Sequence, residues 1–198
     1  MTFVYLNRMN EAIAHIVEGC RMGNRAAQQE LYRRFARPLY AACLRIIGRP
    51  EEAEEAMQDA ILKVLTCIGQ YQPTQSFEGW IRQVAVHTAI DYVRQQLPPM
   101  EELSDNYSEP DADAWDPEVL VDSVQQVKMA LQTLAPGYRV VLSLYFFEGY
   151  DLEEIASILQ AKPASVRVQF MRAKRKLLEQ LTCDRNGEVK AIHRKSSR

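Results

Sequence analysis

Between Tyr150 and Leu181 two apolar stripes of helical period flank a turn of three residues. Asp151 suits an N-cap position, and Glu154, three residues on, can close a capping box with it. Ile155, Ala156 and Leu159 then recur at helical spacing. Gln160, Ala161 and Lys162 leave room only for a turn. Pro163 fits the first turn of a new helix, where the N–H it lacks would have no partner. Val166, Phe170, Ala173, Leu177 and Leu181 share one face of that helix, with Arg167, Val168, Met171, Arg172 and Arg175 elsewhere on it. A short helix, a tight turn and a longer basic helix are the plan of a DNA-reading helix-turn-helix. A helical hairpin with a solvated basic face has the same spacing, so the rest of the chain must decide.

The formal net charge of -2 conceals an asymmetry. Residues 98–122 carry nine acidic and no basic side chains, whereas residues 123–198 carry 13 basic against 7 acidic, a net of +6. A basic end set off from the rest by an acidic tether suits a nucleic-acid binder. The four cysteines, Cys20, Cys43, Cys67 and Cys183, show no CxxC spacing and no paired histidines, and read as reduced thiols rather than metal ligands. The opening MTFVYLNRMN has no apolar core of signal-peptide length, and no run approaches the ~18 apolar residues of a membrane span.

In chain order, Asn10 can cap a first helix bearing Ile13, Ile16, Val17 and Cys20 on its apolar side. Asn24 can cap a second, with Leu31, Phe35, Leu39, Cys43, Ile46 and Ile47, in which Pro38 should kink the axis or loosen one hydrogen bond. A third, EEAEEAMQDAILKVLTCIGQY, opens on carboxylates that suit the positive end of its dipole. The polar loop Gly69–Ser76 leads to a fourth, FEGWIRQVAVHTAIDYVRQQ. Residues 98–122 lose apolar periodicity and read as a linker, with Trp115 as its exception. A fifth helix runs from near Val119 to about Leu134. RVVLSLYFFEGY is strand-like by propensity, but a lone strand would have no partner, so a buried helix is expected. The expected fold is all-α: two small helical domains joined by an acidic linker, the second ending in the helix-turn-helix. The expected boundaries are 1–9 for an extension with little structure, 10–97 for the first bundle, 98–122 for the linker, 123–183 for the second domain and 184–198 for a basic tail.

Taken together these stretches resemble the extracytoplasmic function (ECF) sigma factors, two-domain initiation factors of bacterial RNA polymerase. The likeness covers about residues 10–181. EEAEEAMQDAILKVL resembles the family's acidic helix, with Gln58-Asp59 as its amide–acid pair. FEGWIRQVAVHTAIDYVRQQ resembles the promoter-melting helix, with Phe77, Trp80, Ala89, Asp91 and Arg94 in place. LAPGYRVVLSLYFFEGYDLEEIA followed by ASVRVQFMRAKRKL resembles the second domain. The chain departs from the pattern where Gln160 replaces the turn glycine, which would put a side chain in a left-handed conformation. Ala164-Ser165 replaces the common Gly-Thr, and His87 a usual asparagine.

The resemblance implies three tasks. Glu55, Gln58, Asp59, Leu62 and Lys63 would face the polymerase core, whose β′ and β subunits become expected partners with promoter DNA. Gln70 and Tyr71 in the loop, with Arg82, His87 and Arg94, would open and hold the -10 element; an aromatic face is worth about 1–3 kcal/mol per stacked base. Tyr71 packed on its own bundle is the plain alternative. The -35 element would be read by Arg167 and Arg172, with Val168 and Met171 near thymine methyls and Ser165 and Gln169 as polar contacts. Lys174 and Arg175 would neutralise phosphates. The implied protein is not an enzyme and needs no cofactor or metal. It is cytoplasmic, and an anti-sigma factor would sequester it at the inner membrane without inserting the chain itself. An autonomous helix-turn-helix regulator is the competing reading. Gly-rich phosphate loops, Ser/His/Asp sets and His/Cys metal spacings are absent from the sequence.

Overall fold

The computed structural model describes residues 2–74, 76–95 and 124–195. Every regular element among them is helical, in two compact units. The first holds α1 (Thr2–Arg21), α2 (Arg25–Ile47), α3 (Pro50–Cys67), a 3₁₀ turn (Ile68–Gln70) and α4 (Phe77–Arg94). The second holds α5 (Val124–Thr133), α6 (Pro136–Ser143), which continues into a π-helical turn (Leu144–Glu148), then α7 (Leu152–Leu159) and α8 (Pro163–Lys195). The linker, Trp115 included, lies outside the described residues.

Local chemistry accounts for the helix ends of the first unit. The Asn24 side chain accepts from the amides of Ala26 at 2.8 Å and Ala27 at 3.3 Å, satisfying donors that α2 cannot pair internally. Gly48 closes α2 in a left-handed conformation at φ 81°. Helix α2 runs through Pro38, losing only the donor that proline lacks. The Ser76 hydroxyl accepts from the Gly79 amide at 3.0 Å and opens α4. The core forms where α2, α3 and α4 meet: Leu31, Leu39, Ile46, Ala60, Val64, Ile81 and Ala85 are almost wholly buried. Each large aliphatic side chain there contributes about 1.5–3 kcal/mol.

Helices α1 and α2 pack at very close range. A Cβ built on Gly19 would lie 2.5 Å from the Ala27 Cβ, which is itself fixed on α2. Gly19→Ala should therefore destabilise the first unit by about 1–3 kcal/mol, read as a lower midpoint in chemical denaturation. An unchanged midpoint would mean that the two helices can separate without cost.

Two ends differ from expectation. Helix α1 begins at Thr2 rather than at Asn10. Asn inside a helix costs only about 0.5 kcal/mol relative to Ala, so a residue suited to capping need not cap. At the other end α8 continues to Lys195, beyond the stop expected near Leu181. After Pro163 the chain has no proline, and its single interruption, Gly187, costs about 1 kcal/mol.

In the second unit, Leu131, Val140, Leu142, Leu144, Ile155, Val166, Ala173 and Leu177 make the core. The β-branched run 139–143 is helical because burial on several sides overrides its strand propensity. Arg139, only 6% exposed, donates from Nη1 to the carbonyls of Gln132 at 3.3 Å and Leu134 at 3.2 Å. It thereby closes the C-terminal end of α5, where carbonyls have no partners of their own.

Candidate nucleic-acid and partner interfaces

The helix-turn-helix begins with a complete capping box. The Asp151 carboxylate accepts from the Glu154 amide at 2.7 Å, and the Glu154 carboxylate from the Asp151 amide at 2.8 Å. Helix α7 ends at Gln160, at φ 55° and ψ 41° the only non-glycine residue with positive φ among those described. The Ala161 amide donates to the Ala156 carbonyl at 2.9 Å and the Gln160 amide to Ser157 at 3.2 Å, the two bonds of a Schellman end. The left-handed turn is thus kept without its glycine. Gln160→Gly should stabilise the second unit by about 0.5–1 kcal/mol, raising its melting temperature by roughly 2–8 °C. A lower melting temperature would mean that the glutamine side chain has a compensating partner.

Helix α8 is packed by α5, α6 and α7, so less of it is open than a single apolar stripe suggests. Val166, Phe170, Ala173 and Leu177 are buried as expected. Ser165, 5% exposed, and Val168, 8% exposed, are covered as well, which corrects the expectation that both face outward. Gln169 is half-buried, with its Oε1 turned inward. Met171 and Arg172 are partly exposed. The Lys174 ammonium sits 5.5 Å from the Phe170 ring centre, and burial holds it below the usual lysine range. Arg167 and Arg175 are the more open cations. Arg167 Nη2 donates to Glu153 Oε1 at 2.6 Å, and Arg175 stands 3.9 Å from Glu179.

In the first unit the loop after α3 is anchored from a distance. Arg21 Nη2 donates to the Tyr71 carbonyl at 2.8 Å and its Nε to the Ile68 carbonyl at 3.4 Å. The Tyr71 ring stands edge-on to Phe77 at 5.1 Å and tilted against Trp80 at 5.5 Å. Phe77 meets Phe35 at 5.5 Å in turn. Tyr71 is therefore half-buried on its own bundle, and burial pushes its hydroxyl above the ordinary tyrosine range. Gln70 is exposed beside it. On α4, Arg82, His87 and Arg94 are exposed. His87 and Arg94 share a stripe by helical period, while Arg82 lies roughly 130° around the axis.

Glu55, Gln58, Asp59, Leu62 and Lys63 form one exposed stripe on α3, with the Leu62 side chain 62% exposed. Its edge is bonded to α4. The Tyr92 hydroxyl donates to Asp59 Oδ2 at 2.6 Å, a bond that pushes the hydroxyl up to about 12. Lys63 Nζ donates to Thr88 Oγ1 at 3.2 Å and lies 3.9 Å from Asp91, which pairs with Arg94 at 3.4 Å. These residues and Gln95 line an open depression of about 630 Å³.

Sequence reasoning missed Arg21, Tyr92, Arg139 and Glu153. Their partners lie 47 and 50, 33, 5 and 7, and 14 residues away, and no local pattern marks such pairs.

The Sigma-70 region 2 family matches residues 31–97 and the Sigma-70, region 4 family residues 124–177, over α2–α4 and over α5 through the first turns of α8. The chain belongs to the ECF sigma factors. Among its relatives, the ECF RNA polymerase sigma factor SigE of Mycolicibacterium smegmatis is 30% identical over 80% of this chain and 64% of its own length. The ECF RNA polymerase sigma factor SigW of Bacillus subtilis is 24% identical over 87% of this chain and 98% of its own. A solved sigma factor RpoE from Bartonella quintana, in complex with the anti-sigma factor NepR, superposes with a TM-score of 0.48 at 17% identity, over 79% of this chain and 97% of that one. Sigma factors of this group are regulators of transcription initiation. None of the described helices of this one is long and apolar enough to cross a membrane.

Proposed function

We propose that this protein is an alternative sigma factor that binds RNA polymerase core through the β′ and β subunits and confers promoter-specific initiation. The observation that carries the reading is the two sigma regions in order along one chain, with the acid–amide–leucine stripe on α3 and the basic helix of a helix-turn-helix. Residues 10–97 act as region 2, residues 98–122 as the tether, and residues 123–183 as region 4. Glu55, Gln58, Asp59, Leu62 and Lys63 meet the core. Gln70, His87 and Arg94, with Arg82 on a neighbouring face, hold the opened -10 element beside the Tyr71 cluster. Arg167, Met171 and Arg172 read the -35 element, and Arg175 and Lys174 meet its phosphates. RNA synthesis belongs to the polymerase, so no residue here is catalytic. The protein works in the cytoplasm. An anti-sigma factor would inhibit it by covering the α3 stripe.

The test adds purified full-length protein to bacterial core polymerase and sequences the transcripts made from a promoter library. Specific starts that appear only with both components support the reading. Tight binding to promoter duplex alone, with no conversion of core enzyme, would make the protein an autonomous regulator instead.

A further inference from the structure

We infer that Glu153, on α7, is a positioning residue for Arg167 and so helps set which base pair of the upstream element is read. The inference rests on the proposed role of α8 and deepens it. Three acidic groups stand at the start of α7. Asp151 and Glu154 bond each other's amides in the capping box, which fixes the first turn of the helix. Glu153 sits on that fixed turn and reaches across to α8, accepting from Arg167 Nη2 at 2.6 Å. The two side chains remain 51% (Arg167) and 59% (Glu153) exposed. An exposed pair of this kind adds little to stability, so its consequence lies in where it puts the guanidinium.

Arginine reads guanine with two N–H groups in a fixed fork, and it carries five in all. One is committed to Glu153, which leaves enough for a bidentate contact and removes much of the side chain's rotational freedom beforehand. Ordering done before binding need not be done during it. The carboxylate also has an opposite effect, because near a duplex it repels phosphates. Losing it should therefore raise general DNA affinity while blurring specificity. A merely structural residue would lower both together.

The test uses holoenzyme assembled from core polymerase and the full-length chain, with a promoter library randomised across the upstream element. Arg167→Ala should flatten the preference at one base pair by about tenfold or more. Glu153→Gln should weaken preference at that same base pair by about three- to tenfold. It should leave the other positions alone, and binding to scrambled duplex should be equal or tighter. The double variant should be no flatter than Arg167→Ala. The inference is overturned if Glu153→Gln leaves that preference intact, sharpens it, weakens all positions and scrambled duplex alike, or adds to Arg167→Ala. Transcription that proceeds with every preference unchanged in Arg167→Ala removes Arg167 as a reader, and Glu153 with it. A wild-type holoenzyme that selects no promoter at all refutes the proposed function itself, a different result from any of these.

Discussion

Asp59→Arg should lower affinity for RNA polymerase core by about 100-fold. Truncating or reversing one partner of a close charge pair at an interface typically costs 2–5 kcal/mol, and 100-fold is near the lower end of that range. Asp59 stands in the middle of the exposed α3 stripe, between Glu55 and Lys63, and is held by the Tyr92 hydroxyl at 2.6 Å. The substitution therefore removes both a charge and an acceptor. Asp59→Asn separates the two, because the amide oxygen still accepts from Tyr92 while the charge is gone. The asparagine variant should bind core with intermediate affinity and melt like the parent chain. Fluorescence anisotropy of labelled protein titrated with core gives the affinities. Equal binding by the arginine variant would remove α3 from the interface.

Arg139→Met should destabilise the second unit by about 2–4 kcal/mol. Methionine keeps the apolar stem but not the donors. The carbonyls of Gln132 and Leu134 would then lose a buried partner at the end of α5. Against a typical total of 5–15 kcal/mol this is a large fraction, and it corresponds to a melting temperature roughly 10–25 °C lower for a unit of this size. Calorimetry should show that transition moving while the first unit's transition stays in place. A single unchanged transition would mean that α5 is held by its apolar contacts alone.

Features that depend on neighbouring residues were legible in the sequence. Helical period located the buried faces of α2, α3 and α4, and capping chemistry located Asn24 and the Asp151–Glu154 box. The absent turn glycine pointed correctly to a left-handed Gln160. The run at 139–148 was resolved by asking what a lone strand could pair with, though nothing in it announced that the last five residues would widen into a π turn. What stayed hidden depends on residues brought together from afar. Val168 lies off the apolar stripe, so period alone turned it outward, yet three packed helices cover α8. Tyr71 had two readings of equal local merit until its rings were seen against Phe77 and Trp80. Arg21 looked like a solvated end of α1, and only the loop 47 to 50 residues later gives it an occupation.

The π turn has a bearing on how this helix-turn-helix tolerates change. The Tyr150 amide reaches back to the Leu144 carbonyl at 3.2 Å, and Gly149 then takes φ 78°. Such a turn is an α-helix carrying one surplus residue. Deleting any one of the five from 144 to 148 would restore α-helical counting and swing the chain beyond it by about 100° around the α6 axis. Point substitutions leave that bearing alone. Length variation by a single codon here would re-aim both helices of the reading head at once, making this short stretch an indexing ratchet for the domain.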